Sequence, residues 1–134
     1  MLILFSSLIS CSSVEKDIEE KNSDLDELMQ LATVKYKNNF NIEYNSNKKF
    51  ALCIHKNKSN IPGPESINFF VYDLINNKIT YEDNISKGSV SWQSEYEIKL
   101  EEIPGTIQKN MTSTNVYILN IKTNSKTKLD GEVK

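Results

Sequence analysis

The chain has 134 residues with 18 acidic and 16 basic side chains, a net charge of −2, so its length suits one domain with a modest core. The near balance of charge predicts no global field that would attract nucleic acid or a membrane surface. All 16 basic residues are lysine. The absence of arginine excludes sites that hold a carboxylate or phosphate with a planar, two-pronged guanidinium.

The first ten residues form an apolar run, which reaches Cys11 and then gives way to polar sequence. A run of this kind that ends at a small residue is typical of a secretory signal and its cleavage site. It is much shorter than the roughly 20 apolar residues that span a bilayer. The alternative is that the run packs as a strand or helix inside a cytosolic protein.

The motif Leu8-Ile9-Ser10-Cys11 resembles the lipobox of bacterial lipoproteins. The resemblance implies cleavage before Cys11, acylation of that cysteine and a lipid anchor (diacylglycerol, commonly with an amide-linked fatty acid such as palmitate). It places the protein in the bacterial cell envelope, at the outer membrane, facing either the periplasm or the surface. A signal peptide opens with a positive charge, and the first one here is Lys16. We therefore expect the natural start to lie upstream of Met1.

Residues 11–23 are polar and mostly acidic, which predicts a solvated, lipidated tether after a signal peptide at 1–10 and before one globular domain at 24–134. This acidic stretch resembles that of surface-exposed lipoproteins of Bacteroidota. The abundance of Asn and Ile without Arg is typical of an AT-rich genome.

An amphipathic helix is predicted over 24–37, with Ser23 as its N-cap. Its apolar residues recur at helical spacing: Leu25, Leu28, Met29, Ala32 and Tyr36. Such a stripe must cover something, and a sheet face is the natural partner.

From Phe40 onward the apolar period changes to two, as in strands. Residues 50–54 are apolar on both faces, which indicates an interior strand. Hairpins are predicted over 67–74 with 78–83 and over 115–122 with 126–129. Residues 89–101 are predicted to form one long strand, and its inward side chains are the expected core: Val90, Trp92, Tyr96, Ile98 and Leu100. The predicted fold is α+β and mainly β, with the helix packed on an antiparallel meander of six to eight strands that forms a sandwich or an open barrel.

Residues 67–83 and 114–130 echo each other at a spacing of 47 residues. Repeats of this length with several strands are typical of propeller blades, and the hairpin at 72–78 resembles the outer hairpin of one. Two such units are too few to close a propeller. We therefore expect the echo to reflect similar hairpin chemistry, with a true repeat as the alternative.

The reactive side chains offer little chemistry. His55 is the only histidine, and Cys53 lies two residues before it on the same strand face, about 7 Å away, which is beyond hydrogen-bond reach. Cys53 is therefore predicted to be a small buried residue, with no catalytic residue, metal ligand or cofactor site assigned. Aromatic side chains at strand spacing are expected in the core, and one of Phe69 and Phe70 is expected to be exposed unless the helix covers it.

The sequence thus favours a non-enzymatic envelope lipoprotein, anchored through Cys11, whose small β domain binds a protein or glycan partner and no nucleic acid. The first alternative is an inhibitor or immunity protein that presents a loop at 57–66 or 104–113 to a toxin or hydrolase. An enzyme that uses His55 is a second alternative, and a carrier with an enclosed aromatic cavity is a third.

Overall fold

A computed structural model describes residues 13–58, 65–104 and 114–129, with side chains from Leu25 onward. The predicted signal, Cys11 and most of the loops at 57–66 and 104–113 lie outside these ranges. One helix and eight strands follow in order: α1 (Ser13–Tyr36), β1 (Asn41–Tyr44), β2 (Phe50–Asn57), β3 (Ser66–Asp73), β4 (Lys78–Ile85), β5 (Gly88–Trp92), β6 (Glu97–Glu102), β7 (Asn115–Asn120) and β8 (Ser125–Leu129).

The strands form two antiparallel sheets of four, each with its strands in chain order. The first sheet contains β1 to β4 and the second contains β5 to β8. The mainly β class and the strand number are therefore as predicted, and the strands in the described residues form no closed barrel. The predicted antiparallel meander is divided into two four-stranded sheets, because the hydrogen-bonded order breaks between β4 and β5.

The main core lies between the two sheets. The first sheet contributes side chains such as Leu52, Phe69 and Val71, and the second contributes Ile98 and Leu100, all of them fully buried. The predicted core is confirmed: Val90, Ile98 and Leu100 belong to this cluster, and Trp92 and Tyr96 pack against it.

The opposite face of the first sheet is covered by α1. Leu28 and Ala32 of the helix are fully buried with Cys53 and Phe70, so the predicted packing of helix on sheet is confirmed. Phe69 lies between the sheets and Phe70 lies under the helix, and neither is exposed. The helix thus covers the member of this pair that would otherwise be exposed.

Two details of the helix differ from the prediction. It begins at Ser13, not after Ser23, so much of the predicted tether is helical. Glu and Lys, which dominate that segment, are good helix formers and neither Gly nor Pro interrupts them. Leu25 and Met29 are 42% and 43% exposed, so the buried stripe is narrower than the sequence suggested.

The predicted long strand at 89–101 is wrong. The segment folds back into a hairpin of β5 and β6, in which Trp92 is opposite Ile98. The amide groups of Gln93 and Ser94 donate to the carbonyl of Glu97, at 2.8 and 3.2 Å, and close the turn. At the other end of β5, Gly88 has a φ of +145°, and a Cβ there would lie 1.6 Å from the carbonyl oxygen of Glu101. Only glycine fits at this position.

The 47-residue echo extends to the starts of three of the four strands in each sheet. Strands starting at 41, 50 and 78 in the first sheet recur at 88, 97 and 125 in the second. The turns match as well: Asp73 Oδ1 accepts from the amides two and three residues on, and Asn120 Oδ1 does the same. Asn77 and Asn124 have φ values of 50° and 51°. Similar hairpin chemistry explains the turns but not the matching strand starts, so the echo is a structural repeat.

Candidate functional site

Cys53 lies in the middle of the first sheet, under the helix, and is fully buried. Burial raises the pKa of its thiol to about 12. The thiol therefore stays protonated at neutral pH, and only a thiolate acts as a nucleophile. Cys53 is a packing residue here, as predicted.

His55 lies one pleat further along β2, where the helix ends. Its ring stacks on that of Tyr36, the last residue of α1, with centroids 4.8 Å apart and planes inclined by 8°. The Nδ1 atom is hydrogen bonded to the carbonyl oxygen of Asn39. Since a carbonyl only accepts, Nδ1 carries a proton. Helix end and strand thus fix the imidazole in place.

The other ring nitrogen begins a chain of polar side chains. His55 Nε2 lies 2.7 Å from Asn57 Oδ1, and Asn57 Nδ2 donates to Ser66 Oγ at 2.9 Å. The Asn57 amide can also be rotated, so that its NH₂ group donates to Nε2 and its oxygen accepts from the Ser66 hydroxyl. In both orientations of the amide, Asn57 lies between His55 and Ser66. His55 therefore does not contact the Ser66 hydroxyl and cannot activate it as a nucleophile.

Beside this chain lies an open cleft of about 460 Å³, between the end of α1 and strands β3 and β4. We call it the polar cleft. The register places His55 opposite Asn68 and Asn68 opposite Asn84. Because side chains alternate between the two faces along a strand and paired residues share a face, these three side chains lie on the same face of the sheet. The cleft is lined by Lys35, Tyr36, Asn68, Glu82, Asp83 and Asn84.

One charged pair lies at the polar cleft: Lys35 Nζ is 2.6 Å from Glu82 Oε1. Asp83 is opposite Phe69, so its side chain faces the second sheet and only its backbone side borders the cleft. There Asp83 Oδ2 accepts from the Tyr81 hydroxyl at 3.0 Å and lies 3.3 Å from Nζ of Lys126 on β8.

These contacts set the ionisation of the cleft. Burial alone would raise the pKa of Asp83, but hydrogen bonds from the Asn84 amide and Tyr81 hydroxyl, with the Lys126 charge, outweigh it and lower the pKa. Burial, with nearby Cys53 and Glu82, raises the pKa of Tyr36 to about 12. At neutral pH Asp83 is therefore a carboxylate on the side of the second sheet, and Tyr36 contributes a protonated phenol to the cleft.

Two side chains in the cleft have no intramolecular partner. The carboxamides of Asn68 and Asn84 make no hydrogen bond within the described part of the chain. The sequence reasoning missed both, because asparagine is too common in this chain to draw notice. The one available signal was the recurrence of Asn68 as Asn115 in the echo.

Among residues 13–58, 65–104 and 114–129, no three His, Cys, Asp or Glu side chains are grouped so as to hold a metal ion. Within the same ranges, no helix has both the length and the apolar character needed to cross a bilayer. No protein-family model, curated protein or solved structure matches the chain.

Proposed function

We propose that the protein is a non-enzymatic lipoprotein of the bacterial cell envelope, anchored through Cys11, whose β domain binds a partner through the polar cleft. Support for the anchor is the motif Leu8-Ile9-Ser10-Cys11 at the end of an apolar run. The observation that favours binding is that the carboxamides of Asn68 and Asn84 make no hydrogen bond in the described part of the chain, while the cleft's Lys35 and Glu82 are paired with each other.

Binding is a better match than catalysis to the two reactive side chains. Cys53 is fully buried with a pKa of about 12. His55 has both ring nitrogens engaged, by a backbone carbonyl and by Asn57. A general base must be within reach of a proton on the substrate, and neither nitrogen is free to take one without breaking these contacts.

We further propose that each four-stranded unit is blade-like, as the hairpin at 72–78 suggested. The support is the repeat of strand starts and turn geometry at 47 residues. In this arrangement the two units form a rigid stack, with the polar cleft at the end where the helix stops.

The alternative is an inhibitor or immunity lipoprotein. Both candidate loops follow the second strand of their sheet, β2 and β6. The loop after Asn57 also borders the chain from His55 to Ser66. An inhibitor would abolish the activity of a co-expressed toxin or hydrolase, and deletion of residues 59–64 would remove that protection.

The anchor is tested by expressing the protein in a bacterium, alongside Cys11→Ala. We expect a membrane-bound product that carries acyl mass, and a product without acyl mass in the variant. An uncleaved wild-type protein that stays in the aqueous fraction would contradict the lipoprotein proposal.

A further inference from the structure

The chemistry of the polar cleft narrows the class of ligand. Asn68 and Asn84 are Cα partners on β3 and β4, so their carboxamides lie side by side on one face of the sheet. Each carboxamide offers an NH₂ donor and a carbonyl acceptor, and neither carries charge. Such a pair matches neighbouring hydroxyl groups, because each hydroxyl also donates and accepts.

One charged pair lies on the sheet face of Asn68 and Asn84: Lys35 with Glu82, at 2.6 Å. An anionic ligand would have to draw Lys35 away from Glu82, and a cationic ligand would have to draw Glu82 away from Lys35. Because both side chains are partly exposed, this pair is weak and disfavours an ion only modestly. A neutral, hydroxyl-rich ligand uses the amides of Asn68 and Asn84 and leaves the pair intact.

The walls of the cleft are rigid. Tyr36 is stacked between His55 and Phe70, with ring centroids 4.8 and 5.8 Å away. The floor is formed by two neighbouring strands of a sheet. A site held by packed elements loses little entropy when a ligand binds. The volume of about 460 Å³ falls within the roughly 300–1,000 Å³ of small-molecule sites.

The repeat shows that this arrangement belongs to the first unit alone. At a spacing of 47 residues, His55 corresponds to Glu102 and Asn84 to Gly131, while the asparagine at 68 recurs at 115. No helix end is opposite the second sheet in the described residues. The polar cleft is therefore a feature of the first unit and does not follow from the similarity of the two sheets.

We propose that the polar cleft binds a neutral saccharide, with Asn68 and Asn84 hydrogen bonded to adjacent hydroxyl groups. This inference rests on the proposed binding function and names the ligand class of the same site. A protein partner is the competing outcome.

The test uses the full chain, purified in detergent, on a glycan array that carries neutral oligosaccharides beside uronic-acid and sialylated ones. A neutral glycan that binds is then titrated against Asn68→Ala and Asn84→Ala by calorimetry. We expect a loss of about tenfold in affinity for each variant, the effect of removing one hydrogen-bonding group. Asn41→Ala is the matched control, because Asn41 is an exposed asparagine on β1, at the opposite edge of the same sheet, and should bind like wild type.

Three results would overturn the inference: no neutral glycan binds, only acidic glycans bind, or both cleft variants bind as well as Asn41→Ala. Thermal unfolding of each variant shows whether a loss of binding reflects a loss of fold. The membrane test with Cys11→Ala is independent of this one. Acylation without glycan binding would reject the saccharide and retain the envelope lipoprotein, whereas glycan binding without acylation would reject only the anchor.

Discussion

Asn45 is the side chain whose replacement tests the fold most sharply. It directly follows β1, is only 3% exposed and links the turn after β1 to the turn after β5. Its Oδ1 atom accepts from the amides of Lys49 and Phe50, both at 3.0 Å, and its Nδ2 atom donates to the carbonyl of Glu95 at 2.8 Å. One buried carboxamide thus closes a turn within one sheet and joins that turn to the other sheet.

Asn45→Ala removes all three hydrogen bonds. The Lys49 amide also bonds to Asn47 Oδ1 at 3.0 Å, so the amide of Phe50 and the carbonyl of Glu95 are the groups left without this partner. At about 1–1.5 kcal/mol for each such group, the free energy of unfolding should fall by about 2–3 kcal/mol. For a domain of this size, that corresponds to a decrease in Tm of about 10 °C.

Urea unfolding followed by circular dichroism measures this loss. The control is Asn47→Ala in the same turn: Asn47 also bonds to the Glu95 side chain and, at 3.3 Å, to the Tyr96 hydroxyl, but it is partly exposed, so its loss should cost under about 1 kcal/mol. Asn45→Asp should be more harmful at pH 7 than at pH 4, because its carboxylate would oppose the carbonyl of Glu95, whereas the protonated acid can donate to it. Equal midpoints for Asn45→Ala and Asn47→Ala would refute the reasoning.

Three further substitutions or measurements follow from single contacts. Burial opposes ionisation of Asp73, but hydrogen bonds from Asn76 and Ile75 and the Lys78 charge lower its pKa, so the carboxylate stabilises the fold at neutral pH and this contribution is lost as pH falls through the lowered pKa. Asp73→Asn should therefore reduce the fall in Tm below about pH 4, and an unchanged acid profile would contradict this. Lys37 follows the helix with a φ of 60°, a conformation that glycine adopts without strain and a β-branched residue does not. Lys37→Gly should therefore raise the free energy of unfolding by about 0.5–1 kcal/mol and Lys37→Val should lower it; equal Tm values would contradict this. The thiol of Cys53 should react with a disulfide reagent only at the rate of unfolding, and fast labelling of native Cys11→Ala protein would show that it is accessible.

Much of the fold follows from periodicity, and the one large error has a geometric cause. In the hairpin of β5 and β6, Trp92 is opposite Ile98, so the inward positions on both strands have even numbers. The alternation of apolar residues therefore continues across the turn unchanged. The turn itself, Gln93 to Tyr96, contains neither Gly nor Pro. Nothing in the local pattern separates this hairpin from one long strand.

The polar cleft could not be predicted from the sequence, for a different reason. It depends on the register of β3 and β4, which shifts by one residue at a bulge between Val71 and Tyr72. It also depends on the helix ending at Tyr36, which leaves the sheet face around Asn68 uncovered. Neither the bulge nor the helix end leaves a signal that would single out two asparagines in a chain rich in them. The placement of Cys53 was easier to predict, because an apolar residue between apolar neighbours on an interior strand is buried whatever the register.

The repeat explains why the helix covers one sheet and not the other. Phe70 lies under the helix, and its equivalent 47 residues later, Tyr117, packs towards the first sheet. The face of the first sheet that contacts the helix is therefore equivalent to the face of the second sheet that contacts the first sheet. The helix therefore occupies the position that a preceding sheet would take. On the far side, Leu52 of the buried face corresponds to Lys99, which forms a 2.8 Å ion pair with Glu101. The outward face of the second sheet thus carries charge where the equivalent face of the first sheet is apolar. It needs no further sheet to cover it, as in the terminal units of repeat proteins.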